Sequence, residues 1–308
     1  MGRGARKPAG FRDIDGILLL DKPKGISSNQ ALQETRSIFK ANKAGHTGSL
    51  DPLATGVLPI CFGEATKFSA YLLDASKSYR AVCQLGKTTT TGDAEGEVTS
   101  ESAVTVSRED INAVLTRFRG VIEQVPPMHS AVKVKGQRLY KLARKGREVE
   151  REARRIEIFE LELVEFEQAQ IVIDVRCSKG TYIRTLGEDI GKALDCGAYL
   201  ADLDRTGVHP FWQQPCYSLE KLRDLAAVSD TALKQVLLPV KAALTDLPEL
   251  IVDSLASENL KQGRFIQSDS TVHPGLLNLV CENGQFIGIG EATADGRILP
   301  KRLMNTAR

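Results

Sequence analysis

Gly45-His46-Thr47-Gly48-Ser49-Leu50-Asp51-Pro52-Leu53-Ala54-Thr55-Gly56 is the most unusual stretch of this 308-residue chain. Its three glycines open backbone conformations closed to other residues and let a ligand come close. Pro52 restricts Asp51 to extended geometry and stiffens the loop there. The stretch therefore reads either as a plain Asp-Pro turn or as a rigid, open loop presenting one carboxylate.

On its N-terminal side, Gly16–Leu20 predicts a short apolar strand ended by the turn cluster Asp21-Lys22-Pro23-Lys24-Gly25. Ser27 and Gln30 form the pattern of a capping box, and Ala31, Leu32, Ile38 and Phe39 recur at helical spacing to about Lys40. On its C-terminal side, Lys77–Leu85 and Ile171–Cys177 alternate as strands. Arg108–Phe118 and Leu186–Leu194 carry helical patterns. Strands and helices mix without a regular βαβ rhythm, which predicts an α+β fold with a mixed sheet and flanking helices. Composition shifts near Leu247-Pro248. A short helix (Ser254 to Gln262, stopped by Gly263) and two apolar runs joined at Asn283-Gly284 follow, and predict a small β-rich tail over 248–308.

Lys plus Arg is 41 and Asp plus Glu is 39, for a net charge of +2. The balance hides an uneven distribution: Lys133 to Arg155 holds ten basic residues and three acidic ones, net +7, and the rest of the chain is net −5. The block reads as a polyanion contact or as a solvated charged helix. No apolar run approaches the ~18 residues of a membrane span. The first twelve residues are basic with Gly and Pro, and are expected to be disordered in a cytoplasmic protein. The six cysteines are scattered without Cys-x-x-Cys, which predicts buried free thiols. Gly86-Lys87-Thr88 imitates the end of a phosphate-binding loop, but Ala81 stands where the pattern needs Gly. The four histidines show no metal-ligand spacing, so neither a metal nor a nucleotide cofactor is expected.

The glycine-rich loop resembles the signature loop of the bacterial tRNA pseudouridine-55 synthases, the TruB family. Gly16-Ile17-Leu18-Leu19-Leu20-Asp21-Lys22-Pro23 followed by Gly25 resembles the family's opening motif. Lys77-Ser78-Tyr79 resembles its second motif. Pro126-Pro127-Met128, Ser130-Ala131-Val132-Lys133, Gly136 and Leu139-Tyr140 resemble its RNA-gripping insertion. Ser178-Lys179-Gly180-Thr181-Tyr182-Ile183-Arg184-Thr185-Leu186 resembles the motif that supplies an arginine partner to the catalytic aspartate. The matches keep their order over roughly residues 14 to 210, and the tail resembles, more weakly, a PUA-like domain. The chain departs from the pattern at Asp204, where the family carries a basic residue, and at His129, where it carries Tyr.

The resemblance implies a pseudouridine-synthase-like catalytic domain over 13–247, with an insertion at about 124–155, and a PUA-like RNA-binding domain over 248–308. It implies a cofactor-free isomerisation of uridine 55 in the tRNA T loop, in which Asp51 supplies the ionised carboxylate, Arg184 favours that form, and Tyr79 stacks on the target base. The target base must leave its stack to be reached. By the same resemblance His46, Tyr182, Leu203 and Lys22 belong to the substrate site, and Lys133, Lys141, Arg144 and Lys145 to the RNA backbone contact. The implied partner is the T stem-loop of tRNA, bound by a monomer with no obligate protein partner. Two other readings compete: a non-catalytic tRNA-binding or RNA-folding factor using the same surface, and a pseudouridine synthase of another specificity.

Overall fold

The computed structural model describes residues 10–130, 132–134, 136–143, 146–268 and 272–305. In chain order, β1 (Gly16–Lys22) leads to α1 (Ser28–Phe39), β2 (Ala44–His46) and β3 (Thr55–Phe62). A short helix α2 (Ser69–Asp74) precedes β4 (Lys77–Leu85), the small hairpin β5 (Lys87–Thr89) and β6 (Val98–Glu101), α3 (Arg108–Arg117) and β7 (Gly120–Gln124). Next come β8 (Lys133–Val134), β9 (Gln137–Arg138) and α4 (Leu139–Ala143). The long strands β10 (Arg154–Glu167) and β11 (Gln170–Cys177), then α5 (Ile183–Ala193) and β12 (Ala198–Val208), complete the main sheet. Helices α6 (Leu219–Val228) and α7 (Asp230–Lys234) lead to the tail: β13 (Glu249–Val252), α8 (Ser254–Lys261), β14 (Ile266–Gln267), β15 (Gly275–Cys281), β16 (Phe286–Ala292) and β17 (Arg297–Leu303).

The main sheet runs β1-β3-β12-β4-β11-β10-β7, with β2 added to β3. Its pairs are antiparallel except β12 with β3, whose parallel register sets Asp204 against Thr55 and Arg205 against Gly56. That pairing brings β12 against the C-terminal end of the glycine-rich loop that carries Asp51. One face of the sheet carries the largest apolar cluster, in which Ala81, Cys83, Ile171, Ile173 and Leu203 pack against α3 and α5 through Ile111, Leu115, Leu186 and Ile190. Leu50, Leu53 and Ala54 belong to that same cluster, so the loop is anchored in core on both sides of its carboxylate. Helices α1 and α6 cover β1 and β3 with a second cluster around Leu18, Leu20, Phe39 and Phe62.

The expected helix after Ser27 forms as read. Ser27 accepts from the Gln30 N–H while the Gln30 side chain accepts from the Ser27 N–H, and Lys40 closes the end in a left-handed conformation. The chain leaves the sheet at Gln124 and returns at Arg154, and these two residues pair across β7 and β10. The segment between them is thus an excursion hung from two adjacent strands. The tail forms its own five-stranded sheet, ordered β13-β15-β16-β17-β14. It is docked on the preceding part of the chain by the Phe68–Phe286 ring contact at 5.7 Å and by the Asn278 side-chain amide, which donates to the Leu244 carbonyl at 2.9 Å.

Three expectations change. The helix expected from Leu186 begins at Ile183, because the Gln124 side chain holds the Tyr182 backbone at both its N–H (2.8 Å) and its carbonyl (3.1 Å), which starts the helix without a Ser or Thr cap. Residues 1–9 of the expected disordered N-terminus lie outside the described residues, but Arg12 is tied down: its N–H donates to the Lys40 carbonyl and its guanidinium to the Asp230 carboxylate. Cys216 is exposed rather than buried, since it lies in the connection between β12 and α6 beyond the edge of the core.

Candidate active site

Asp51 sits on the loop between β2 and β3 with half its side chain open to solvent. The guanidinium of Arg184, on the first turn of α5 and only 7% exposed, reaches its carboxylate at 3.1 Å. The other side of that guanidinium meets Asp93, which is buried, at 3.4 Å. Arg184 also donates to the carbonyls of Thr91 (3.2 Å) and His129 (2.7 Å). Four acceptors on three segments thus fix one guanidinium. Asp93 is itself held by the Thr91 hydroxyl and the Glu95 N–H (3.1 Å). A buried guanidinium thus pairs with one buried carboxylate, Asp93, and one half-open carboxylate, Asp51.

Tyr79 lies on β4 with its ring half-buried against the main core. Burial pushes its hydroxyl above the ordinary tyrosine value, and the nearby Arg205 cation opposes that rise. Tyr182 caps α5 and is half-buried, and Leu203 on β12 is a buried core residue two positions before Arg205. His46, on β2, is half-buried, with its Nδ1 buried and without a hydrogen-bond partner among the described residues. Burial and the Arg205 charge lower its pKa below the ordinary 6.5, so the ring is neutral at pH 7. The structure therefore brings Asp51, Arg184, Tyr79, Tyr182, Leu203 and His46 to one end of the sheet.

Lys22 stands apart from the role expected for it. It is fully buried, and its ammonium donates to the Pro23 carbonyl at 2.8 Å and to the Ala54 carbonyl at 2.7 Å. Here it ties the Asp51 loop to β1 rather than presenting its charge at the surface. Burial lowers it to about 8, and attraction to Asp51 resists that fall. Of the expected RNA-backbone residues, Arg144 and Lys145 lie outside the described residues, as do the side chains of Lys133 and Lys141.

Asp204 and His129 are absorbed locally. Asp204 accepts from the Thr55 hydroxyl at 2.8 Å and lies in register with Arg80, itself bidentate to Asp174. His129 contributes its backbone carbonyl to Arg184, which any residue supplies. Asp93, Gln124 and Arg205 escape a reading of the sequence. Only the Gly92-Asp93 turn and the lone arginine in Leu203-Asp204-Arg205 signal two of them, and neither pattern is distinctive.

A carboxylate on a glycine-rich loop, clamped by an arginine on a helix turn beside a strand tyrosine across a mixed sheet, defines the class: a pseudouridine-synthase catalytic domain. Residues 36–183 match the family described as TruB family pseudouridylate synthase (N terminal domain). Residues 184–245 match the tRNA pseudouridylate synthase B C-terminal domain, and 248–304 match Pseudouridine synthase II TruB, C-terminal. The chain is 54% identical to tRNA pseudouridine synthase B of Ectopseudomonas mendocina (strain ymp), over 96% of this chain and 97% of the relative. It is 53% identical, with the same coverage, to the protein of that name in Pseudomonas aeruginosa (strain UCBPP-PA14). Its fold is similar to a solved H/ACA RNP bound to a substrate RNA containing 2'-deoxyuridine (TM-score 0.73, 23% identity, 95% of this chain and 86% of that one). A Cbf5-Nop10-Gar1 complex is similar at TM-score 0.71 and 25% identity, over 96% of this chain and 86% of that one. The chain belongs to the TruB family of pseudouridylate synthases.

Proposed function

We propose that this protein is a tRNA pseudouridine synthase that isomerises uridine 55 of the T loop to pseudouridine. Family membership and relatives of more than 50% identity along nearly the whole chain support the activity on tRNA. The observation that carries the chemical assignment is the half-open Asp51 carboxylate held at 3.1 Å by the buried Arg184. RNA binding alone needs no such pair, which favours catalysis over a purely RNA-folding role.

The reaction breaks the N-glycosidic bond, turns the uracil and rejoins it through C5. In this reading the flipped uridine enters between Tyr79 and the Asp51 loop. Tyr79 stacks on the base, an interaction worth about 1–3 kcal/mol. Tyr182 and Leu203 line the base pocket, and the neutral His46 meets the RNA where the base leaves its stack. Asp51 is the reacting carboxylate, and Arg184 orients it through a charge-assisted contact. The net +7 block from Lys133 to Arg155 grips phosphates of the T arm, and the tail over 248–308 adds RNA contact. The enzyme acts as a monomer in the cytoplasm in this reading.

The test is incubation with an unmodified tRNA transcript and with one carrying cytidine at position 55, read by carbodiimide-blocked primer extension. Modification at that one site, lost in the cytidine transcript, is the expected result. Tight binding without modification would favour an RNA-folding factor, and modification elsewhere would favour another specificity.

A further inference from the structure

The two halves of the Asp51–Arg184 pair are held in different ways. The Asp51 loop is braced close to its carboxylate. Arg205 donates from Nε to the Val57 carbonyl at 2.6 Å and from a terminal nitrogen to the Gly48 carbonyl at 3.0 Å. The buried Ser28 hydroxyl bonds Leu50 at its N–H (2.7 Å) and its carbonyl (2.9 Å). Arg184 lies on the first turn of α5, so its place depends on how that helix starts. The helix starts on Tyr182, whose side chain makes no capping hydrogen bond.

Gln124 supplies the missing hold. It is the last residue of β7 and is only 2% exposed. A side-chain amide carries both an acceptor and donors, so it can engage the N–H and the C=O of one residue as a neighbouring strand does. Its Oε1 accepts from the Tyr182 N–H at 2.8 Å, and its Nε2 donates to the Tyr182 carbonyl at 3.1 Å. That carbonyl also accepts the first helical bond, from the Leu186 N–H at 3.0 Å. Two bonds to one backbone residue fix its orientation as well as its position, and Arg184 follows two residues later.

The same stretch of chain grips Arg184 a second time. Five residues beyond Gln124, the His129 carbonyl accepts from the guanidinium at 2.7 Å. Between these two holds lies a cavity of about 430 Å³, lined by Pro126, Pro127 and Met128 on one side and by Thr185 and Glu188 on the other. On this side, hydrogen bonds rather than side-chain packing set the turn that carries Arg184. We propose that Gln124 is a positioning residue for the reaction: by holding the Tyr182 backbone it sets the first turn of α5 so that Arg184 reaches Asp51. The proposal rests on the uridine-isomerising reading above and goes beyond it by adding a buried residue that acts through Arg184 alone.

The experiment measures single-turnover rate at saturating tRNA, tRNA Kd and urea midpoint for the intact protein, Gln124→Met, Gln124→Glu, Arg184→Lys and the double variant Gln124→Met/Arg184→Lys. Rates are taken at a temperature where circular dichroism shows each variant folded. Gln124→Met keeps the volume and removes both bonds to Tyr182. It is expected to slow the chemical step about 100-fold, the scale of a small misplacement of a reacting group, with tRNA Kd within about threefold. Gln124→Glu, which keeps an acceptor for the Tyr182 N–H, should lose less. In the Arg184→Lys background Gln124→Met is expected to cost less than about threefold, because the two residues act through one guanidinium. An unchanged rate with only a lower urea midpoint would overturn the proposal and leave Gln124 as a brace of the fold. Equal losses in both backgrounds would overturn it too, since Gln124 would then not act through Arg184. If Gln124→Met does not fold, Gln124→Glu replaces it in the cycle. If Arg184→Lys is too slow to time, the saturating rate and Kd of the Gln124 variants decide alone: a weakened Kd with an unchanged rate would make Gln124 part of the tRNA surface and overturn the proposal. An intact protein that makes no pseudouridine would instead sink the reading on which the proposal rests.

Discussion

The guanidinium of Arg184 bridges two carboxylates of opposite circumstance: Asp51, half open, at 3.1 Å and Asp93, buried, at 3.4 Å. The arrangement separates the structural need for a counter-charge from the chemical need for a free carboxylate. Asp93 neutralises the buried cation, which in the proposed reaction leaves Asp51 available to the substrate while still oriented by the same group.

The first prediction concerns Asp51. Asp51→Asn keeps the loop's shape and removes the charge, so the single-turnover rate should fall by at least about 10³-fold with tRNA affinity nearly unchanged. Single-turnover assays and filter binding on the same preparation check this. A comparable loss of both would mean that Asp51 shapes the RNA site rather than doing chemistry.

Arg184→Met should act on stability as well as on rate. It strands the buried Asp93 carboxylate, a change that costs about 3–5 kcal/mol when one partner of a buried pair is removed. The urea midpoint should drop accordingly. Adding Asp93→Asn should recover part of the stability but none of the activity, because Asp51 still lacks its partner. Equal stability of the single and double variants would show that Asp93 is not held by Arg184.

Much of this architecture is legible in the sequence. The capping box at Ser27, the strand Lys77–Leu85 and the Asn283-Gly284 hairpin each follow from local chemistry, and all form with boundaries close to those expected. Strand β12 is not legible, although it lies at the centre of the sheet. Its register shifts between Leu200 and Asp202 and again between Asp204 and Gly207, so the alternation that reveals a strand changes phase twice within eleven residues. Arg205 is hidden for that reason. Lys22 illustrates a different limit: residue type suggests a charge offered to RNA, and only the fold shows the ammonium turned onto two backbone carbonyls.

The buried Lys22 gives a pH prediction with a definite sign. Burial sets its folded value at about 8, against an ordinary 10.5. Between these values the unfolded chain binds more protons than the folded one, so this group's contribution to stability rises with pH across that window. Cys61 and Cys83, which burial pushes up to about 12, contribute with the opposite sign above pH 9. The Lys22 effect is therefore read as a difference. Intact stability minus that of Lys22→Met, from urea melts at pH 7.5, 9 and 10, should grow with pH. A flat difference would mean that the ammonium keeps its ordinary pKa in the fold.

Gly56 closes the Asp51 loop at the point where β3 meets β12. Its φ is +93°, and an added Cβ would lie 2.4 Å from the Arg205 carbonyl oxygen and 2.5 Å from the Asp204 carboxylate. Gly56→Ala is both strained and overpacked, and should cost about 1–3 kcal/mol. It should also slow the reaction, since the displaced strands carry Arg205 and the Asp204–Thr55 hydrogen bond. Thermal melts and single-turnover rates measure the two effects. Unchanged melts would show that the β3–β12 junction yields without cost.

The basic block supplies the last prediction. If Lys133 to Arg155 contacts tRNA phosphates, each neutralised phosphate releases counterions, and the logarithm of affinity falls linearly with the logarithm of salt concentration. Replacing Lys141, Arg144 and Lys145 with Gln should weaken binding at low salt and reduce the slope by about 2, somewhat under one unit for each phosphate that is no longer neutralised. The chemical step at saturating tRNA should stay within about threefold, because these residues grip the T arm and not the flipped base. Filter binding over roughly 50 to 300 mM salt gives the slope directly. An unchanged slope would make the block a solvated surface and move the phosphate contact to another face of the protein.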